Sequence, residues 1–137
     1  MCTRGETVIY FLVGLGGIAG SLFRYLLSVM AVAIWGKEFP IGTLFINVTG
    51  AFLLGFMTNY FVGSNKFHPY LKTALTTGVI GSYTTFSTFC FETVHLFETG
   101  KIIFGVLYLF ASLLGGLYFV KVGMKLGEQV NKTRSVL

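Results

Sequence analysis

The chain alternates between long stretches without charge and short, charged connections. Four stretches contain no Asp, Glu, Lys or Arg, apart from Arg24 in the first: residues 7–36, 39–65, 73–91 and 102–120. Roughly 20 apolar residues in a helix cross the hydrocarbon core of a bilayer, and each stretch comes close to that length. The pattern predicts an all-α membrane protein with four transmembrane helices, at roughly residues 7–35, 40–63, 70–97 and 101–126.

Composition agrees with a protein that lies almost wholly in a lipid bilayer. Of the 137 residues, 54% are hydrophobic and only 11% are charged, whereas soluble domains carry about 25% charged residues. A soluble fold of this length could not bury four apolar helices on every side. We therefore expect residues 1–137 to form a single transmembrane domain in the plasma membrane. Nothing in the sequence indicates a nucleic-acid partner or the catalytic residues of an enzyme.

The basic residues are distributed unevenly between the two sides that a four-span topology defines. Seven lie on the side of the termini and the middle connection, and two, or three if Arg24 extends there, lie on the other. By the positive-inside rule, this bias places both termini in the cytoplasm. The seven are Arg4, Lys66, Lys72, Lys121, Lys125, Lys132 and Arg134, and the two are Lys37 and Lys101.

Polar residues occur at depth in the first two predicted spans. Arg24 either contributes to an electropositive vestibule or extends to the headgroups, since an arginine at mid-membrane costs roughly 2.5–3.5 kcal/mol. Asn47 in the second span needs hydrogen-bond partners, and Thr43 lies one turn earlier on the same face. This pair either lines a polar stripe or joins helices by hydrogen bonds.

The third span is unusual because glycines and hydroxyl side chains interrupt it. Both weaken a helix, and we predict a break near Gly81–Thr84, with freed carbonyls that suit a hard cation. Phe86 and Phe89 are three residues apart and share a face. Their electropositive ring edges can line an anion path, and Thr85 and Thr88 add hydroxyl donors. Alternatively, these are core aromatics and hydroxyls bonded to their own backbone.

Further polar and small residues flank this cluster. Tyr108 and Ser112 in the fourth span share a face and can extend a polar track. Glu92, near a membrane end, is either solvated or hydrogen-bonded into that track. Gly16 and Gly20 have the small-xxx-small spacing that lets helices approach closely. They fit either contact within one subunit or contact between subunits. We expect oligomerisation because four spans enclose little interior.

Three motifs together resemble the Fluc (CrcB) fluoride-channel family over essentially the whole chain. They are the glycine-rich first span ending in Arg24-Tyr25, the motif Gly42-Thr43-Leu44-x-x-Asn47-x-x-Gly50, and the motif Gly81-x-x-Thr84-Thr85-Phe86-Ser87-Thr88-Phe89. The third motif is the most specific. The resemblance implies an antiparallel, dual-topology dimer with two fluoride pores and a structural sodium ion at its centre.

The resemblance also implies roles for single residues. Phe86 and Phe89 would contact fluoride, and Gly81 and Thr84 would offer backbone carbonyls to sodium. Arg24 would stay a candidate for the vestibule. The remaining pore-lining side chains would be Asn47, Thr43, Thr88, Tyr108, Ser112 and Glu92.

Two features depart from the family pattern. Gly116 stands one turn after Ser112, where a further hydroxyl is expected, so a water would have to complete the track. The bias in Lys and Arg also differs from the balance that insertion in both orientations requires. The partner is therefore either a second copy of the chain or an oppositely oriented paralogue.

The resemblance, together with the polar residues that carry no fixed charge in the third span, predicts a fluoride-selective channel. Such a channel would export fluoride passively from the cytoplasm and so relieve its toxicity. Fluoride is small and strongly hydrated, so a pore must replace its water with amide, hydroxyl and ring-edge donors. A proton-coupled small multidrug antiporter is the alternative. That chemistry needs a carboxylate deep in a span, typically the first, which offers Arg24 instead. A non-transporting assembly subunit would leave the third-span cluster unexplained.

Overall fold

The computed structural model describes the backbone of residues 4–62 and 67–135 and the side chains of residues 6–62 and 67–133. The chain is helical almost throughout, and the third predicted span is built from several pieces. In order, the elements are α1 (Arg4–Trp35), α2 (Ile41–Phe61), α3 (Pro69–Thr73), a π-helical segment (Ala74–Ile80), α4 (Gly81–Tyr83), α5 (Phe86–Glu98) and α6 (Ile102–Ser135).

The helices confirm the prediction of an all-α membrane protein. In the described part of the chain, α1, α2 and α6 are each long and apolar enough to cross a bilayer, whereas the third span is interrupted. Helix α6 continues past the predicted end at residue 126 to Ser135. Of the seven basic residues assigned to one side, Lys66 and the side chains of Arg4 and Arg134 lie outside the described residues.

Spans one and three run parallel and touch backbone to backbone. Gly16 faces Ala74, where an added Cβ would lie 2.7 Å from the carbonyl oxygen, and at Gly20 a Cβ would overlap the carbonyl of Val79. Only glycine allows so close an approach. Of the two alternatives for these small residues, the structure shows contact within one subunit.

Spans two and four form a second parallel pair. Gly123 of α6 lies against the Phe52 carbonyl of α2, and Gly127 lies against the Phe56 carbonyl one turn later. A side chain at either glycine would overlap that carbonyl oxygen. These two pairs bring the polar residues of α2, α5 and α6 to one side of the bundle, where Tyr108 is fully buried.

The third span breaks at Thr84 and Thr85, at the C-terminal end of the predicted range Gly81–Thr84. Gly81–Tyr83 remains helical, and the next two residues are extended, with ψ of 158° and 123°. Thr85 then starts α5, because its Oγ1 accepts a hydrogen bond from the Thr88 amide (3.2 Å). The expected break is therefore present. Gly81 itself stays helical, because glycine weakens a helix by only about 1 kcal/mol, and the side chain that stabilises the break belongs to α2.

Candidate functional site

Asn47 of α2 holds the break in the third span. Its Oδ1 accepts a hydrogen bond from the Thr85 amide (2.8 Å), and its Nδ2 donates to the Thr85 carbonyl (2.8 Å). The side-chain amide thus satisfies both backbone groups of a buried residue that has left the helix. Asn47 therefore joins two spans by hydrogen bonds. Its assignment as a pore-lining amide stays a prediction.

The break also redirects the amides that would otherwise close the next helical turns. The Thr85 amide donates to Asn47 rather than to the Gly81 carbonyl, and the Thr88 amide donates to Thr85 Oγ1 rather than to the Thr84 carbonyl. The exposed Gly81 carbonyl accepts a long bond of 3.4 Å from Thr84 Oγ1. Carbonyl oxygens released in this way fit a hard monovalent cation such as sodium.

Beyond the break, hydroxyl groups and phenylalanine rings lie on the first turns of α5. Thr85 Oγ1 donates to Thr88 Oγ1 (2.9 Å). The Phe86 and Phe89 ring centroids are 5.9 Å apart and the rings are tilted by 36°. Phe89 also lies against Tyr108 of α6, at 5.2 Å between centroids. Phe86 is 78% exposed on the single chain, so one ring of the pair faces outward.

Glu92 connects α5 with the two neighbouring helices. Its Oε1 accepts a hydrogen bond from Thr43 Oγ1 (2.8 Å), and its Oε2 accepts one from the Tyr108 hydroxyl (2.7 Å). Of the two alternatives for this carboxylate, the structure shows the hydrogen-bonded one. Thr43, Glu92 and Tyr108 form a continuous polar cluster with the Glu92 carboxyl group at its centre.

A cavity of about 410 Å³ opens beside this cluster. Thr43, Thr88 and Glu92 line it at the end nearest the polar cluster. At its other end lie residues from the connections that precede α2 and α6, among them Lys37 and Lys101. The cavity therefore joins the polar cluster to the membrane surface.

Three of the predicted positions stand apart from this arrangement. Arg24 is half-buried in α1 and does not line the cavity, so its vestibule role stays a prediction. Ser112 Oγ is buried and has no hydrogen-bond partner among the described residues. At Gly116 an added Cβ would meet nothing within 4 Å. The space there is large enough for a hydroxyl group. Whether the polar track is interrupted at Gly116 stays a prediction.

Two contributors to the site were missed from the sequence. Phe39, in the connection before α2, packs edge-on against Tyr108 at 5.7 Å between centroids. The Tyr83 hydroxyl lies 2.9 Å from Thr49 Oγ1 and joins α4 to α2 just before the break. Neither residue could have been recognised from the sequence, because an aromatic residue in a short connection or in a span is ordinary. The capping role of Thr85 could have been recognised, because threonine is a common residue just before the first residue of a helix.

Fold and site together define an integral, multi-pass protein of the cell membrane, with a broken third span and a polar cluster at membrane depth. The family model for "CrcB-like protein, Camphor Resistance (CrcB)" matches residues 11–124. The chain belongs to this family, which confirms the resemblance given by its motifs.

Curated relatives cover most of the chain. A protein of Geobacillus kaustophilus named "Fluoride-specific ion channel FluC 2" is 48% identical over 110 residues, which are 80% of this chain and 85% of that protein. "Fluoride-specific ion channel FluC 1" of Bacillus thuringiensis subsp. konkukian is 42% identical over 123 residues, 90% of each chain. "Fluoride-specific ion channel FluC" of Clostridium perfringens is 40% identical over 123 residues, 90% of this chain and 96% of that protein.

Proposed function

We propose that the chain is a fluoride-selective ion channel, not an enzyme, through which fluoride leaves the cytoplasm passively. The observation that carries the proposal is membership of a family whose curated relatives, at 40–48% identity, are named fluoride-specific ion channels. Export would relieve fluoride toxicity. The small multidrug antiporter considered from the sequence receives no support from the family or from these relatives.

The chemistry of the donor groups near the break and on α6 supports the proposal. Fluoride gives up its hydration water only if a pore supplies other donors. The chain offers hydroxyls at Thr88 and Ser112, the second N–H of the Asn47 amide, and the electropositive ring edges of Phe86 and Phe89. These groups carry no fixed positive charge. An anion can therefore be bound and also released, which conduction requires.

Thr43, Tyr108 and Glu92 would have a different part in the same pathway. In the structure both hydroxyls donate to the carboxylate. A fluoride ion at this place would compete with Glu92 for the same two donors. We propose that the three residues form one end of the pathway, with Tyr108 linking it to the Phe89 ring.

A dimer is proposed because the single chain leaves residues on both sides of the break uncovered. Irregular backbone at membrane depth is tolerated only where it is buried in protein or lines a water-filled cavity. Gly81 is exposed, and Phe86 is 78% exposed beside the break. We propose that a second copy in the opposite orientation covers this surface. An oppositely oriented paralogue is the other candidate, because Lys and Arg are distributed unevenly between the two sides.

We further propose that the Gly81 and Thr84 carbonyls hold a structural sodium ion at the centre of the dimer. The released carbonyls and the chemistry of a hard cation support this. Replacing sodium by a bulky organic cation during purification should lower the dimer fraction and fluoride efflux together. Unchanged dimer and efflux would exclude a structural role for sodium.

Fluoride efflux from liposomes that contain only this purified chain tests the function. Phe86→Ile removes the ring edge and should abolish most of the efflux, and the fold of the single chain should be kept because the ring is exposed there. The dimer fraction is measured beside efflux, since a second copy is proposed to cover this surface. The matched control is Phe110→Ile, at an exposed phenylalanine of α6 outside the site. Efflux that is absent, or that is equally fast in both variants and the unsubstituted chain, would contradict the proposal.

Efflux also distinguishes the two candidate partners. A chain that conducts when reconstituted alone, with both orientations detected by labelling from one side, supports a homodimer. A chain that conducts only when mixed with a paralogue, and that inserts in one orientation, supports the heterodimer. Either result leaves the assignment of the pathway intact.

A further inference from the structure

The cavity beside Glu92 has ionisable side chains of both signs along its wall. Two lysines and two glutamates line it, and Glu38 and Lys101 form an ion pair there. The ionisable residues on the wall are Lys37, Glu38, Glu92, His95 and Lys101.

The charges at the outer end differ in how firmly they are paired. Lys101 Nζ lies 2.8 Å from Glu38 Oε2, and this pair joins the connection before α2 to the connection before α6. The hydrogen bond and the charge of Lys101 hold the pKa of Glu38 below its ordinary value, so the carboxylate is ionised at neutral pH. Among the described residues, no carboxylate forms an ion pair with Lys37, which is exposed at the same end.

We infer that this cavity is an anion-collecting mouth of the pathway, which faces the cytoplasm in the oppositely oriented copy of the proposed dimer, and in which Lys37 and Lys101 attract fluoride and Glu38 limits how much positive charge the anion meets. The inference rests on the proposed function. It assigns to the Glu38–Lys101 pair a role in the rate at which fluoride reaches the Thr43–Glu92 end of the cluster.

The opposite charges of Glu38 and Lys101 make the effect of each residue distinguishable by its sign. Removing Glu38 makes the wall more positive by one charge, and removing Lys101 makes it more negative by one charge. A charge at the mouth changes the local concentration of an anion through its potential. A pair that only ties the two connections together would behave differently, because either substitution would break it in the same way.

The test is fluoride efflux from proteoliposomes at fluoride concentrations low enough that entry limits the rate. Glu38→Gln should raise efflux about two- to threefold, and Lys101→Gln and Lys37→Gln should lower it by a similar factor, as expected for one unit charge about 8 Å away in a water-like dielectric. The matched control is Lys125→Gln, at an exposed lysine of α6 outside the cavity. It should leave efflux unchanged.

Ionic strength provides the second measurement. The differences between variants should be large at about 0.01 M salt and nearly absent at about 1 M, where charges are screened within about 3 Å. A variant that had failed to fold would instead be slow at every salt concentration.

Several outcomes would overturn the inference. If Glu38→Gln and Lys101→Gln both slow efflux, the pair is a structural tie. If neither changes efflux while the unsubstituted chain conducts, the cavity lies outside the route and the proposed function stands without it. If the unsubstituted chain shows no fluoride efflux, the proposed function fails, and the inference fails with it.

Discussion

The α2–α6 pair and the broken third span are stabilised in different ways. In the pair, glycines let two continuous helices touch backbone to backbone, as at Gly123 and Phe52. In the third span, side chains replace the helical hydrogen bonds, as Asn47 does for Thr85. The first region depends on space and the second on polar partners. Steric changes should therefore damage the pair, and changes in hydrogen bonding should damage the break.

The largest loss of stability is expected from Gly123→Ala. The added methyl group would overlap the Phe52 carbonyl of a packed helix, and we expect a loss of about 3 kcal/mol or more because backbone cannot move aside as a side chain can. The measurement is the unfolding midpoint in detergent. Gly116→Ala is the control on the same helix, where an added Cβ meets nothing within 4 Å. It should gain up to about 1 kcal/mol. Equal stability of the two variants would refute the close contact.

A smaller loss is expected from Asn47→Ala. It would leave the buried Thr85 amide unpaired and remove one bond to the Thr85 carbonyl, at about 2 to 3 kcal/mol, and fluoride efflux should fall because the break loses its shape. Asn59→Ala is the control, since Asn59 Nδ2 makes one exposed bond to the Met124 carbonyl (3.0 Å). That change should cost about 1 kcal/mol or less. If both variants are equally mild in unfolding experiments, Asn47 does not hold the break.

Tyr108→Phe should have a moderate effect. It removes the hydroxyl that donates to Glu92 Oε2 but keeps the ring that packs against Phe89, so we expect a loss of about 1 to 2 kcal/mol. Tyr118→Phe, on an exposed face of the same helix, should change stability by less than about 0.5 kcal/mol. Thermal unfolding of both variants checks this. A Tyr108→Phe protein as stable as the control would show that the hydroxyl bond contributes little.

The smallest effect is expected from Gly116→Ser. The added side chain enters open space one turn after the unpartnered Ser112 hydroxyl, so we expect a change of at most about 0.5 kcal/mol, in the stabilising direction because serine favours a helix more than glycine. Fluoride efflux should be retained or faster. A clear loss of stability would show that this space is occupied in the assembled protein.

Much of the architecture was predictable because it depends on local sequence. The uncharged stretches predicted the spans, and the hydroxyl and glycine content of the third span predicted a break. The sequence placed the break only to within a few residues, because its exact position depends on Asn47, far away along the chain, which pairs with the backbone of Thr85. The π-helical segment Ala74–Ile80, which lies against Gly16 and Gly20 of α1, was not anticipated either.

The candidate site was predictable in its membership and less so in its connections. Phe86, Phe89, Glu92 and Tyr108 were all selected from the sequence, and the structure brings them to neighbouring positions on α5 and α6. Which hydroxyl donates to which acceptor requires three helices in register, so the Thr43–Glu92 bond could not be derived from spacing. Phe39 was missed because its contact with Tyr108 depends on how the connection before α2 folds back.

The most direct test of the central claim is the ratio of fluoride to chloride efflux from the same proteoliposomes, recorded with two ion-selective electrodes. A lining of hydroxyl, amide and ring-edge donors without fixed positive charge should favour the smaller anion, so fluoride should leave while chloride stays inside. Phe86→Ile should stop the fluoride signal without starting a chloride signal. Equal efflux of both anions, or efflux of neither, would contradict the assignment of the broken third span as a fluoride pathway.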